Sequence, residues 1–122
     1  MSVADLVVIE GDRHTTALLS GELDRASCSD VRPRLRALAH RPLVLDLSGL
    51  TFIDVDGLRM VHQCARVCEA EGAALTLVGA NPFTAKLFRL FGLGVPLCAS
   101  EEEALWCLLP PTDDDIQDWL SG

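Results

Sequence analysis

The chain predicts an α/β fold: a mixed, mostly parallel sheet of four to five strands with an N-terminal antiparallel hairpin and about four helices. Two observations carry this. Short apolar runs alternate along the chain with segments of helical period, the pattern of strands linked by crossover helices. The first two runs are instead separated only by a short turn at Gly11-Asp12, too short for a crossover but suited to a hairpin. At 122 residues and 49% hydrophobic content, the chain suits one domain with one core.

The elements follow in order. Residues 3–10 and 14–20 read as the hairpin strands. Val31, Leu35, Leu38 and Ala39 mark a short helix, with its N-cap near Asp30 so that Pro33 falls in the first turn, where its missing amide costs nothing. Leu43-Val-Leu-Asp-Leu47 follows Pro42 as an apolar run that reads as a strand buried on both faces. A helical period starts near Asp54, where Leu58, Val61, Ala65 and Cys68 form a core-facing stripe, and it runs to about Glu71, with Gly72 as a stop. Residues 74–78 read as a strand. Residues 82–91 read as a helix opened by Asn81-Pro82 and closed by Gly92. An extended segment over residues 95–98 leads into Ser100-Glu-Glu-Glu103, a capping-box pattern that opens a last helix to about Leu109. Pro110-Pro111 ends the fold, giving a domain over residues 1–110 and an acidic tail over 111–122. In that tail Ile116, Trp119 and Leu120 have helical spacing, so it reads either as a solvating segment or as a short amphipathic helix that docks.

The corner at residues 53–58, Ile-Asp-Val-Asp-Gly-Leu, joins a buried strand to a helix and concentrates the unusual residues. Asp54 is placed to cap the helix by accepting from the amide of Asp56 or Gly57, and both aspartates lie at the positive end of the helix dipole. Val55 falls on the outward face with Arg59, His62 and Arg66.

Residues 46–58, Asp-Leu-Ser-Gly-Leu-Thr-Phe-Ile-Asp-Val-Asp-Gly-Leu, resemble the central motif of STAS domains, the family of bacterial anti-sigma factor antagonists. Leu19-Ser-Gly-Glu-Leu-Asp24 resembles the family's second strand and following loop, and residues 81–93 resemble its third helix and exit. Together these cover about residues 4–109. The resemblance implies a STAS-like fold and a non-catalytic module that binds a kinase-type anti-sigma factor and so frees a sigma factor. It implies a partner-binding surface of Asp24, Asp54, Val55, Asp56, Gly57 and Leu58, in which Gly57 permits close approach and Leu58 contributes contact or packing. In the family the residue after the aspartate is usually a serine or threonine that the kinase phosphorylates. Here Val55 occupies that phospho-acceptor position and has no hydroxyl to phosphorylate. Asp56 supplies at most one negative charge, against roughly −1.5 to −2 for a phosphate, and reads as a first-turn acid. In the resembling pattern the helix before the motif begins a few residues earlier than Asp30, which implies a longer loop after Asp24 here. The same family also implies an alternative, an accessory subunit of a lipid-transporting ABC system; a second alternative is a signalling scaffold, which predicts self-association.

Composition excludes other classes. A net charge of −8 argues against direct nucleic-acid binding, and Arg32, Arg34, Arg36 and Arg41 read as a solvated helix face. No apolar stretch is long enough to insert into a membrane, and the N-terminus lacks a signal-peptide pattern, so a cytoplasmic protein is expected. Asp46, Asp54 and Asp56 group near a strand end as the acids of phosphotransfer receivers do, but the paired acids of a first strand and the lysine are missing, so no catalytic site is expected. His14, His40 and His62 are scattered and read as exposed. Of five cysteines, Cys64 and Cys68 lie on the inward stripe as small hydrophobes, no metal set or cofactor site is expected, and Cys28, Cys98 and Cys107 hold room for a redox-sensitive pair.

Overall fold

The computed structural model describes residues 3–109, 117 and 119–121. Five strands form one sheet in the order β1 (Ala4–Glu10), β2 (Thr15–Leu23), β3 (Leu43–Ile53), β4 (Leu75–Val78) and β5 (Leu97–Cys98). β1 and β2 pair antiparallel; every later neighbour pairs parallel. Between the strands run α1 (Arg25–Leu38), α2 (Val55–Ala70) and α3 (Pro82–Leu90), and α4 (Glu101–Leu108) follows the last strand. Gln117 and residues 119–121 are also helical, with Trp119 and Leu120 exposed. The expected boundary at 110/111 and most of the acidic tail, including Ile116, lie outside the described residues.

The sheet is covered on both faces, as parallel pairing requires. On one face Leu6, Ala17, Leu19, Leu43, Leu45, Leu75 and Leu77 pack against Val31 and Leu35 of α1, Leu58, Val61 and Cys68 of α2, and Phe88 of α3. On the other, Val44 and Val78 pack against Ala104 of α4, with Leu105 and Leu108 beside them. Thr16 ties this second layer to the sheet through its Oγ, which donates to Glu101 Oε1 at 2.8 Å.

Several expectations change. The helix expected from Asp30 begins instead at Arg25, capped by Asp24, and Pro33 lies in its interior. The loop after Asp24 is therefore not lengthened. Cys28, Val31 and Leu35 form a continuous buried stripe, and burying it outweighs the cost of an interior proline. Pro33 sits on the exposed side, so the lost hydrogen bond falls towards water. The strand expected over residues 43–47 continues to Ile53. Two bulges hide the continuation: Leu18 and Ser20 face Asp46 and Gly49, while Gly21 and Glu22 face Leu50 and Phe52. Each puts an extra residue into β3, so the buried positions Leu47, Leu50 and Ile53 recur every third residue and the alternation of an ordinary strand is lost. β2 likewise extends to Leu23. At its bulge Gly21 has φ +88°, and a Cβ there would stand 2.2 Å from the Val3 carbonyl oxygen.

The arginine cluster is dispersed. Arg32, Arg34 and Arg36 are exposed, as a solvated face requires, but Arg34 also donates to the Leu6 carbonyl and half-buried Arg41 to the Gly11 carbonyl, each at 2.8 Å, so these two hold the edge hairpin. His14 and His62 are half-buried rather than exposed; His62 Nδ1 lies 3.0 Å from the Leu93 carbonyl and ties α2 to the loop after α3.

Replacing Pro33 with alanine should restore one backbone hydrogen bond inside α1. We expect Pro33→Ala to raise the unfolding free energy by about 1–2 kcal/mol, the interior penalty less the entropy that proline removes from the unfolded chain. Urea denaturation checks this; an unchanged midpoint would mean that α1 is already relaxed around the proline.

Candidate functional site

α1 and α2 both begin at the ends of neighbouring parallel strands, β2 and β3, so their N-termini emerge side by side. Each start is capped by an aspartate. Asp24 accepts from Ser27 N at 3.0 Å, while Ser27 Oγ accepts from Asp24 N at 3.0 Å, a reciprocal capping box. The same hydroxyl donates to the Glu22 carbonyl at 2.7 Å and locks the turn to the end of β2.

Asp54 caps α2 with one oxygen and reaches α1 with the other. Its Oδ1 accepts from Gly57 N at 2.9 Å, and its Oδ2 accepts from Arg25 N at 3.3 Å. One carboxylate thus satisfies an otherwise unpaired amide at each helix start, where both dipoles favour negative charge. The Asp54 amide in turn donates to the Leu23 carbonyl at 3.1 Å, fixing the corner to the preceding strand.

Gly57 explains how closely the helix can approach. A Cβ there would stand 2.5 Å from the Leu23 carbonyl oxygen and 2.8 Å from Ile53 Cγ1. Only a glycine lets the first turn of α2 lie on the end of β2. Leu58 is 2% exposed and belongs to the core.

What faces outward is small and mixed in character. Val55 is 45% exposed, Asp24, Asp54 and Asp56 are half-buried, and Arg25 and Arg59 are exposed. The structure therefore brings Asp24, Asp54, Val55 and Asp56 to one corner, with Gly57 and Leu58 directly beneath. Phe52, 51% exposed, adds an exposed apolar residue at the end of β3, two positions before Asp54 along the chain. Sequence reasoning missed it because the bulge at Thr51, whose hydroxyl donates to the Gly21 carbonyl at 3.0 Å, breaks the strand pattern just before it. It missed the capping box too, although Asp24 and Ser27 stand at the spacing that signals one.

Cys28 lies buried in the first turns of α1 and senses the three carboxylates. Burial pushes its thiol up, the charges of Asp54, Asp56 and Asp24 add to this, and Arg32 opposes it. The thiol accordingly stays protonated and serves as packing. The neighbouring Cys68 thiol, together with burial, pushes the Cys64 thiol up as well.

The grouping of Asp46 with Asp54 and Asp56 does not survive. Because β3 runs on to Ile53, Asp46 sits within the strand, roughly 20 Å from its end. Its carboxylate accepts from Ser48 N at 2.8 Å. Among the described residues no group of three His, Cys, Asp or Glu side chains could hold a metal ion.

The profile of the family described as "Mlab, STAS domain" matches residues 8–99. The chain belongs to the STAS-domain family. This STAS domain is 30% identical over 92 residues to an anti-sigma F factor antagonist from Lysinibacillus sphaericus, covering 71% of this chain and 79% of that one. An anti-sigma factor antagonist from Mycobacterium paratuberculosis has the same fold, with a TM-score of 0.78, 24% identity, and coverage of 87% of this chain and 94% of that one. The unphosphorylated form of the anti-sigma factor antagonist SpoIIAA superposes with a TM-score of 0.71 at 25% identity, covering 84% and 95% of the two chains. SpoIIAA from Bacillus has also been solved phosphorylated, with a TM-score of 0.65.

Two substitutions test the corner. Asp54→Ala should cost about 1–2 kcal/mol through loss of the shared cap. Gly57→Ala should cost about 1–3 kcal/mol, because the added methyl pushes α2 off the end of β2. Chemical denaturation reads both; near-zero effects would mean that the corner relaxes without its cap or its glycine.

Proposed function

We propose that this STAS domain is an anti-sigma factor antagonist, a non-catalytic module that binds a kinase-type anti-sigma factor and so releases a sigma factor to RNA polymerase. The observation that carries this reading is the exposed Val55 at the first position of α2, framed by Asp24, Asp54 and Asp56. Its relatives from Lysinibacillus and Bacillus, named as antagonists of anti-sigma factors, support the class of partner.

In this reading Val55 and the three aspartates form the partner-binding surface, and Gly57 and Leu58 act from below by seating the helix. Val55 offers apolar contact at the centre, and the acids around it favour a basic rim on the partner. A serine at this position would carry a hydroxyl on the first turn of the helix, open to a kinase. Valine has none, so phosphoryl transfer cannot switch this surface off, and the domain is constitutively competent for binding or is controlled by other means. Action on transcription then passes through the protein partner, in keeping with a net charge of −8. Among the described residues no helix is long and apolar enough to cross a membrane, and a cytoplasmic site of action fits this role.

The test is retention of partners from host extract by the immobilised protein, with Val55→Glu as control. We expect selective retention of a histidine-kinase-like anti-sigma factor. The control should weaken it by at least about tenfold, the factor that 1.4 kcal/mol represents. Retention of a transport ATPase instead would establish the accessory-subunit alternative. Retention unaffected by the control would move the interface off this corner.

A second variant probes the missing hydroxyl. Val55→Ser should accept phosphate from the retained kinase and ATP, seen as a phosphoserine at residue 55 by mass spectrometry. A variant that binds fully and stays unmodified would show that valine is not the missing half of a switch.

A further inference from the structure

The five cysteines divide into two groups. Cys28, Cys64 and Cys68 are buried in the main core, whereas Cys98 is half-buried and Cys107 exposed. Cys98 lies in β5, the two-residue strand at the sheet edge, and Cys107 lies in the last turn of α4, which packs beside it. Their sulfurs are 4.0 Å apart. This is van der Waals contact between unbonded thiols, so a bond at about 2.05 Å needs a movement that side-chain rotation can share with a small shift of α4.

The proximity is held by contacts that do not involve the cysteine side chains. The start of α4 is fixed by Thr16 Oγ donating to Glu101 at 2.8 Å and by His14 Nε2, 3.6 Å from the same carboxylate. Ser100 caps the helix by accepting from Glu103 N at 3.2 Å, and Glu103 Oε2 accepts from Ala99 N at 3.1 Å, one residue after Cys98. Ala104 anchors the middle of the helix against Val44 and Val78. β5 is held to the sheet by parallel pairing of Leu97 with Leu77 and of Cys98 with Val78. The two thiols therefore meet on a prepared frame.

We propose that Cys98 and Cys107 are a modification site, closing to an intramolecular disulfide when a hydroperoxide reaches the exposed thiol. Cys107, open to solvent, attacks the peroxide as its thiolate: an S–O bond forms, the O–O bond breaks, and the departing alkoxide or hydroxide takes a proton to leave as alcohol or water. The product is a sulfenic acid at Cys107. Cys98 then attacks that sulfur; the S–S bond forms, the S–O bond breaks, and the hydroxyl leaves as water with the proton Cys98 gives up. The two thiols together lose two electrons, and the peroxide gains them. Burial, the neighbouring Cys107 and Glu103 push the Cys98 thiol up to about 11. Cys98 is thus protonated near neutrality and acts as the resolving partner, and closure speeds up as pH rises towards that value.

Closure would staple α4 to the edge of the sheet through a short loop. It leaves the three core thiols untouched, because each is at most 4% exposed and none is paired with the edge cysteines. The proposal is independent of the partner reading, since neither cysteine belongs to the corner at Val55.

The fully reduced chain is treated with equimolar hydrogen peroxide and mapped by mass spectrometry under non-reducing conditions. The expected product is a monomer lighter by two hydrogens, with the peptides of Cys98 and Cys107 cross-linked, the three core cysteines still thiols, and full reversal by dithiothreitol. Its melting temperature should rise by roughly 5–10 °C over the reduced form. Cys98→Ser should stop at a sulfenic acid on Cys107 that a dimedone probe captures. Disulfide-linked dimers through Cys107, over-oxidation of Cys107 with Cys98 left free, or five persistent thiols would each overturn the proposal.

Discussion

The Asp54 carboxylate is the interaction on which the candidate site depends. Two parallel strands feed two helices side by side, and each helix start leaves amides without acceptors. Asp54 answers both, capping α2 through Gly57 N and reaching Arg25 N at the start of α1. Its own amide is tied back to Leu23, so strand end, corner and both helix starts are linked through one residue. The orientation of Val55 on the surface follows from this arrangement, since it is the residue between the shared cap and the glycine that lets the helix sit down.

Packing beneath the corner enforces the same geometry. Gly57 has no room for a side chain because the carbonyl of Leu23 fills the space, and Leu58 plugs the core immediately after. Three carboxylates around buried Cys28 gather negative charge at the positive ends of two helices, where the backbone amides disperse it. A hydroxyl at residue 55 would be presented to a partner at the same place. Valine presents methyl groups there instead, which converts a position suited to chemistry into one suited to contact.

The opposite layer follows different rules. α4 is short, its inner face rests on a small cluster around Val44, Val78 and Ala104, and polar contacts from Thr16 and Glu103 do much of the anchoring. A region with little buried apolar area is where a covalent link has most to add. The placement of two thiols there, and of three inert ones in the main core, separates the roles of the cysteines by depth.

Much of the architecture was legible in the residues alone. The caps at Asp54, Asn81 and Ser100, the stripe Leu58, Val61, Ala65 and Cys68, and the hairpin turn each depend on neighbours close in sequence, and those local rules were sufficient. The residues of the corner were legible too, because they are nearly contiguous. Apart from the local capping box of Asp24 and Ser27, the failures arose where distant partners intervened. Pro33 was read as a helix start because burial of Cys28, Val31 and Leu35 against the sheet, which tolerates an interior proline, is a tertiary effect. The far half of β3 was read as loop because its bulges are defined by pairing with β2 and leave a period of three. By itself the sequence determined the alternating fold and the absence of a hydroxyl at residue 55, both matters of local pattern and identity. Only the tertiary structure decided that Asp54 reaches the starts of two helices and that Cys98 meets Cys107, because each requires segments remote along the chain to be brought to contact distance.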